Sequence, residues 1–277
     1  MISEGKQYAV CRLSVACLWK HAAEDAPLQS QVLFGEVLEV INIKNKHWVR
    51  VLCSWDDELG WMDPKHLYFL KEKDLPKIKG EKHYSLELIY GIISDKISIP
   101  ITIGALLHGF DGINVRMPFG RFQFSGQAFS PGEGSLTSSM FIKLAHKFIN
   151  APEMRGGRSV LGMDSGALTQ LIYKLLDIEL PRHPPAQSSI GEDIGFLEQA
   201  EIGDLAFFCK RNGPISHAGV IVGPGSVLHV HGRVKIDRLD QQGIYDLEDG
   251  RYSYKLRTVR RMIQLSSPEE QLINSET

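Results

Sequence analysis

The sequence predicts an α+β chain in which two small all-β barrels precede a mixed C-terminal domain. Three observations carry this expectation. Short β-rich segments bounded by turn residues fill residues 8–130, a period-four apolar stripe appears only after Pro131, and consecutive strand-like segments follow the helices from about residue 204. The expected domains are 1–72, 80–131 and 132–277.

The first barrel rests on Tyr8–Val15, Val37–Ile43 and Trp48–Leu52, with Gly60-Trp61-Met62-Asp63-Pro64 closing the block. Several short strands without a long helix suit a small barrel. The stretch Lys71–Gly80 is lysine-rich and turn-forming, and reads as a solvated linker and not a basic binding patch. A second strand-rich block includes Ile97–Gly104 and Gly120–Gly126. No exact repeat joins the two blocks, but their lengths suit two related barrels. Beyond Pro131, Leu136, Met140, Leu144 and Phe148 recur every fourth residue beside Phe141, the stripe of one helix. A second helix is expected from about Ser165 to Leu176, with Leu168, Leu171, Ile172, Leu175 and Leu176 apolar and Pro181 as its stop. Strands are then expected at 204–208, 217–222 and 226–231, and helices followed by consecutive strands imply an antiparallel sheet.

Composition narrows the function classes. With 43% hydrophobic and 23% charged residues, the chain can bury a core. Lys plus Arg numbers 31 and Asp plus Glu 33, so a formal charge of -2 gives no electrostatic case for nucleic acid or an anionic membrane as partner. No apolar run approaches the roughly 20 residues that span a bilayer. Met1–Lys6 lead into a strand-like stretch and not an apolar signal core, so a cytoplasmic location is expected. Cys11, Cys17, Cys53 and Cys209 form no Cys-x-x-Cys pair, and are expected to be reduced and mostly buried.

Three clusters carry the candidate chemistry. Gly156–Leu168 is a glycine-rich approach to a helix start, where unpaired N–H groups favour an anion. Ser165 sits there, and its local sequence favours a helix N-cap over a nucleophile. The second cluster is Gly203–Phe208 followed by Ile215–Val220, which contains His217; the third is His229-Val230-His231. Twelve residues separate His217 from His229, with a Gly223-Pro224-Gly225 turn between them. That spacing suits neighbouring antiparallel strands with the imidazoles side by side, as base and orienting group. His183, His217, His229 and His231 are alternative metal ligands, but His-x-His is the only compact spacing, so no metal and no cofactor is expected.

These clusters together resemble the NlpC/p60 family of cell-wall cysteine peptidases. The family's opening motif reads roughly Trp-Gly-Gly-x-Ser-x-x-Gly-x-Asp-Cys-Ser-Gly-Leu, and residues 155–168 align with it without a gap. Leu180-Pro181-Arg182, Gly203–Phe208, Ser216-His217-Ala218-Gly219 and His229 follow in the family's order, and the resemblance covers about residues 133–262. Cys11–Val15, Leu33-Phe34-Gly35-Glu36 and Gly60-Trp61 resemble the bacterial SH3-like domains that precede this catalytic domain in muropeptide-recycling members. Those members are similar to γ-D-glutamyl-L-diamino acid endopeptidases. The resemblance therefore implies a papain-like NlpC-type domain after two SH3-like barrels, and a cell-wall-derived peptide, or another peptide or protein, as ligand.

The departures decide the expected activity. The family's nucleophilic Cys is Ser165 here, and the following Ser-Gly has become Gly166-Ala167. The base and orienting positions are kept as His217 and His229. The pocket tryptophan is Arg155, and the Asp that often follows Pro-Arg is His183. Asp164 and Ser216, next to the catalytic positions, are expected to line the substrate pocket with Arg155 and His183. In the first SH3-like domain, the acid and tyrosine that hold the substrate's amine match His21 and Glu58. A thiol ionises with a pKa near 8.5, lowered at a helix N-terminus beside a histidine. A serine hydroxyl needs a base backed by a carboxylate, and His229 brings no fixed negative charge of its own. The chain therefore reads as a peptidase-like protein that has lost its cysteine chemistry and keeps a remodelled cleft. The competing readings are an active hydrolase using Ser165, His217 and His229, a His-ligated metal hydrolase, and a purely structural interaction module.

Overall fold

The computed structural model describes residues 5–131 and 137–265. The chain divides into two compact units. One is Met1–Pro131 with Arg155–Val160 and Lys174–Glu179; the other is Gly132–Met154, Leu161–Tyr173 and Leu180–Thr277.

The first unit opens with seven strands: β1 (Tyr8–Cys11), β2 (Val15–Trp19), β3 (Leu28–Leu33), β4 (Val37–Ile43), β5 (Val49–Cys53), β6 (Leu59–Met62) and β7 (Leu67–Phe69). They form one sheet in the order β3-β2-β6-β5-β4-β1-β7. Period-two burial drives it: Val49, Val51 and Cys53 point inward from β5, and Ala16 and Leu18 from β2, onto Ala9, Leu38 and Met62. The turn between β3 and β4 requires Gly35, whose φ is +81° and whose added Cβ would lie 1.9 Å from the Leu106 carbonyl oxygen.

The expected linker is instead partly helical. A 3-10 turn at Glu72–Asp74 runs into a one-turn helix, α1 (Leu75–Ile78). Buried Asp74 accepts hydrogen bonds from the Lys71 amide at 3.2 Å and Lys77 Nζ at 3.3 Å, and Ile78 enters the core. The second strand block follows as β8 (Tyr84–Ser85), β9 (Ile89–Ile93), β10 (Ser98–Thr102), β11 (Asn114–Met117), β12 (Gly120–Gln123) and β13 (Ala128–Phe129). It forms a four-stranded sheet ordered β10-β9-β12-β11 and a β13-β8 pair. Its core takes in Val10 and Phe34 from the first block, with Phe119 and Phe122 edge-on to Phe34.

A buried ion cluster ties the remaining segments of this unit together. Glu36 is bound by the Arg158 guanidinium and by Lys174 Nζ, and all three side chains are at most 5% exposed. Arg158 Nε also donates to the Gln31 carbonyl at 2.8 Å, and Lys174 Nζ to the Gly104 carbonyl at 3.0 Å. Burial pushes the Glu36 carboxyl up, but Arg158 and Lys174 outweigh it and hold the group below the ordinary carboxylate range.

The short strand β14 (Arg158–Ser159) belongs to the first unit; the second unit contains α2 (Ser138–His146), the short strand β15 (Gly162–Met163), α3 (Ser165–Lys174, its last residue in the first unit) and α4 (Pro184–Gln187). Seven strands follow: β16 (Glu192–Ile194), β17 (Leu205–Cys209), β18 (Ile215–Gly223), β19 (Ser226–His231), β20 (Arg233–Asp240), β21 (Gly243–Asp246) and β22 (Arg251–Arg261). The sheet is antiparallel in the order β16-β22-β17-β18-β19-β20-β21, and β21 also pairs with β22. The α2 stripe is turned from the expected one. Phe141 and Ala145 are buried with Phe148, Met140 is 48% exposed, and Leu136 lies outside the described residues. Thr137 caps α2 by accepting from the Met140 amide at 3.2 Å. All four cysteines are free, and Cys11, Cys53 and Cys209 are buried. Among the described residues no helix is long and apolar enough to cross a membrane.

Candidate active site

The site is built at the start of α3. The residue that caps this helix is Asp164, one position before the expected Ser165. Its Oδ1 accepts from the Ala167 amide at 3.0 Å, as an N-cap carboxylate should. Arg182, with its side chain fully buried, donates to both Asp164 oxygens at 2.7 and 2.8 Å. The Asp164 carboxylate is thus engaged in holding the helix start. Gly166 is needed by close approach: an added Cβ would lie 2.6 Å from the Arg182 carbonyl oxygen and 2.9 Å from Pro184 Cδ. Gln187 Nε2 donates to the carbonyls of Gly166 and Pro181, fixing α3 against the 181–187 segment.

Ser165 follows the cap and is 6% exposed. Its Oγ accepts a hydrogen bond from the Ala218 amide at 3.3 Å, which places it against the β18 backbone at the residue that follows His217. Phe208 pairs with His217, and Gly219 with His229. His229 is therefore diagonal to His217 on one face of the sheet. The rings meet with His217 Nε2 3.0 Å from His229 Nδ1. Tyr254 of β22 stacks on His217, centroids 4.0 Å apart and planes 8° apart. Burial drives the His217 imidazole well below its usual range, with His229, His231 and Lys210 adding to the effect.

Behind the pair stands a residue that the sequence reading missed. His229 Nε2 lies 2.9 Å from Asp237 Oδ2, with His229 fully buried and Asp237 1% exposed. The expectation that no negative charge backs the pair is thus corrected. Asp237 Oδ1 accepts from the Leu247 amide at 3.0 Å, and Lys235 Nζ lies 3.3 Å from Oδ2. Burial raises the Asp237 carboxyl, but the hydrogen bonds from His229 and Leu247 outweigh it and hold it below the ordinary range. Burial lowers His229 despite the opposing pull of Asp237. The arrangement is a hydroxyl at the start of α3 held against the β18 backbone, and on the same sheet a buried histidine pair backed by the Asp237 carboxylate.

The NlpC/P60 family matches residues 154–249, and a bacterial dipeptidyl-peptidase SH3 domain matches residues 18–67. A γ-D-glutamyl-L-lysine dipeptidyl-peptidase of Bacillus subtilis (strain 168) is 27% identical over 229 residues, covering 74% of this chain and 73% of that protein. A γ-DL-glutamyl hydrolase of the same organism is 30% identical over 139 residues, covering 49% of this chain and 32% of that protein. The crystal structure of an NlpC/P60 family protein from Bacillus cereus superposes with a TM-score of 0.79 at 21% identity, covering 93% of this chain and all of that one. The chain thus has an NlpC/P60 papain-like fold with an N-terminal SH3-like domain.

The other expected site residues fall as follows. Within the NlpC/P60 unit, His183 is exposed at the N-cap position of α4, and Ser216 is exposed on β18. Arg155 is exposed and clusters with the first unit. His21 and Glu58 also belong to that unit. His21 is exposed after β2, and half-buried Glu58 accepts from Gln29 Nε2 at 2.5 Å. The four histidines considered as metal ligands do not form one ligand group. Among the described residues, the group close enough to share an ion is His231, Asp246 and Asp249, and Lys235 Nζ already sits 2.7 Å from Asp246.

Proposed function

We propose that this chain recognises a γ-D-glutamyl peptide derived from the cell wall and has lost cysteine-type hydrolysis of it. The observation that carries the reading is Ser165 itself. Its oxygen stands at the first turn of α3 and accepts from the Ala218 amide, and its position in the sequence aligns with the nucleophilic Cys of the family that the chain resembles. Replacing a thiol by a hydroxyl removes the easily formed anion, because a helix terminus and a histidine bring a thiol, not an alcohol, into the ionised range. His183 then acts on the ligand: an imidazole in place of a carboxylate favours a more anionic peptide than the ancestral one. On this reading the strands from β8 to β13 are a second SH3-like domain, and Glu58 offers a carboxylate to a ligand amine.

A second reading is slow serine-type hydrolysis by Ser165, His217 and His229, favoured by one observation, the Asp237 carboxylate behind His229. One experiment separates the two. Purified protein is incubated with an L-Ala-γ-D-Glu-diamino acid peptide, product is followed by chromatography, and binding by calorimetry. Saturable binding without diamino acid release supports the first reading. Release that disappears in Ser165→Ala supports the second. The absence of both would leave a structural interaction module.

A further inference from the structure

We propose that Asp237 is a positioning residue that fixes the protons of the histidine pair, leaving Nδ1 of His217 as the ring nitrogen with the free lone pair. The geometry is a line of three groups, with Asp237 Oδ2 2.9 Å from His229 Nε2 and His229 Nδ1 3.0 Å from His217 Nε2. An ionised carboxylate only accepts hydrogen bonds, so His229 must carry its proton on Nε2. A neutral His229 then accepts at Nδ1, and the bond is completed only by a proton on His217 Nε2. The reverse arrangement needs an imidazolium in a site where His217 is 4% exposed and His229 fully buried, which burial disfavours. The charge stays on Asp237 because the Leu247 amide and Lys235 Nζ both hold it.

The consequence concerns any acidic proton at position 165. When a thiol stands there, its proton passes to His217 Nδ1 and the S–H electron pair stays on sulfur. The product is a thiolate–imidazolium pair, and Asp237 stabilises its cation through His229. The other groups facing His217 are His229 and His231 on β19, Tyr254 on β22 and Lys210 after β17. Those facing Asp237 are His229, Lys235 and the Leu247 amide. Of all these side chains, Asp237 alone brings a negative charge.

This inference rests on the reading of Ser165 and His217 as one site, but not on the identity of the ligand. The test compares Ser165→Cys with Ser165→Cys/Asp237→Asn. The rate of iodoacetamide alkylation at position 165 is read by peptide mapping across pH, so the four native cysteines are scored separately. The single variant should react with a midpoint below the ordinary thiol value of about 8.5. The double variant should have its midpoint raised by about one pH unit, at the low end of the 1–3 units a contacting charge exerts, because a ring intervenes. Equal midpoints in two folded variants would overturn the proposal. The second measurement needs no substitution. Long-range 15N spectra of the unaltered chain at pH 7 should show both His217 and His229 with their proton on Nε2, and an Nδ1 proton on either ring would overturn the assignment. A chain that binds no peptide yet shows the midpoint shift would refute the proposed function and leave this inference standing.

Discussion

Replacing Glu36 by Gln should unfold the first unit far more easily than a surface change. The substitution preserves volume and removes one negative charge from between two buried cations. Arg158 is fully buried and Lys174 3% exposed. Removing one partner of a buried ion pair costs about 3–5 kcal/mol, because the remaining charge is left uncompensated. Two stranded cations place the loss at the upper end, eased by the carbonyls of Gln31 and Gly104 that still accept from them. At about 2–4 °C per kcal/mol for a unit of this size, the melting temperature should fall by roughly 10–15 °C. The penalty should also depend on pH. The folded carboxyl is held below its unfolded value, so its contribution is complete above the unfolded carboxylate pKa and fades as pH falls through the folded one. Calorimetry of both proteins between pH 7 and pH 3 checks this: the gap should be widest near neutrality and close in acid. Adding Lys174→Met to Glu36→Gln should recover part of the loss. A Glu36→Gln variant within about 1 kcal/mol of the parent, or a gap that widens in acid, would refute the reasoning.

Other outcomes follow from the same geometry. His108 is 5% exposed, with Nε2 2.7 Å from the Gly35 carbonyl oxygen, and burial lowers it to about 4. The unfolded chain binds this proton near pH 6.5 and the folded chain does not, so stability present above pH 6.5 should drop by roughly 3 kcal/mol on going to pH 4; urea titrations of His108→Gln should show a flatter acid limb. Tyr254→Leu removes the ring stacked on His217 and should cost about 1–3 kcal/mol in chemical unfolding, with Tyr254→Phe close to the parent. The thiol of Ser165→Cys should alkylate faster than Cys11, which burial pushes up to about 12, yet give little peptide turnover. Adding Arg155→Trp and His183→Asp should raise turnover further, and family-level activity from Ser165→Cys alone would show that the remodelled positions are neutral.

Much of the site was legible in local spacing. The interval from His217 to His229 with its Gly-Pro-Gly turn specifies two neighbouring strands, and β18 and β19 pair accordingly. The start of α3 was legible as a helix terminus but not which residue caps it, since Asp164 and Ser165 are both good caps; Arg182 decides it, from eighteen positions away. Asp237 had a usable signal. After the turn at Gly232, strand alternation puts Lys235 opposite His229 and Asp237 two residues further on the same face. Tyr254 had no such signal, because it reaches His217 from another strand. The Glu36 cluster was likewise hidden, joining residues 122 and 138 positions apart. The Lys71–Gly80 stretch looked like a linker because its composition is polar, yet Asp74 and Ile78 turn inward, and tertiary packing overrides that composition.

The most direct test of the account is product release from an L-Ala-γ-D-Glu-diamino acid peptide by the unaltered chain, alongside its Ser165→Ala variant. The account predicts saturable binding, with diamino acid release from both proteins indistinguishable from buffer. Release by the unaltered chain that vanishes in Ser165→Ala would contradict it, and would make Ser165 a working nucleophile.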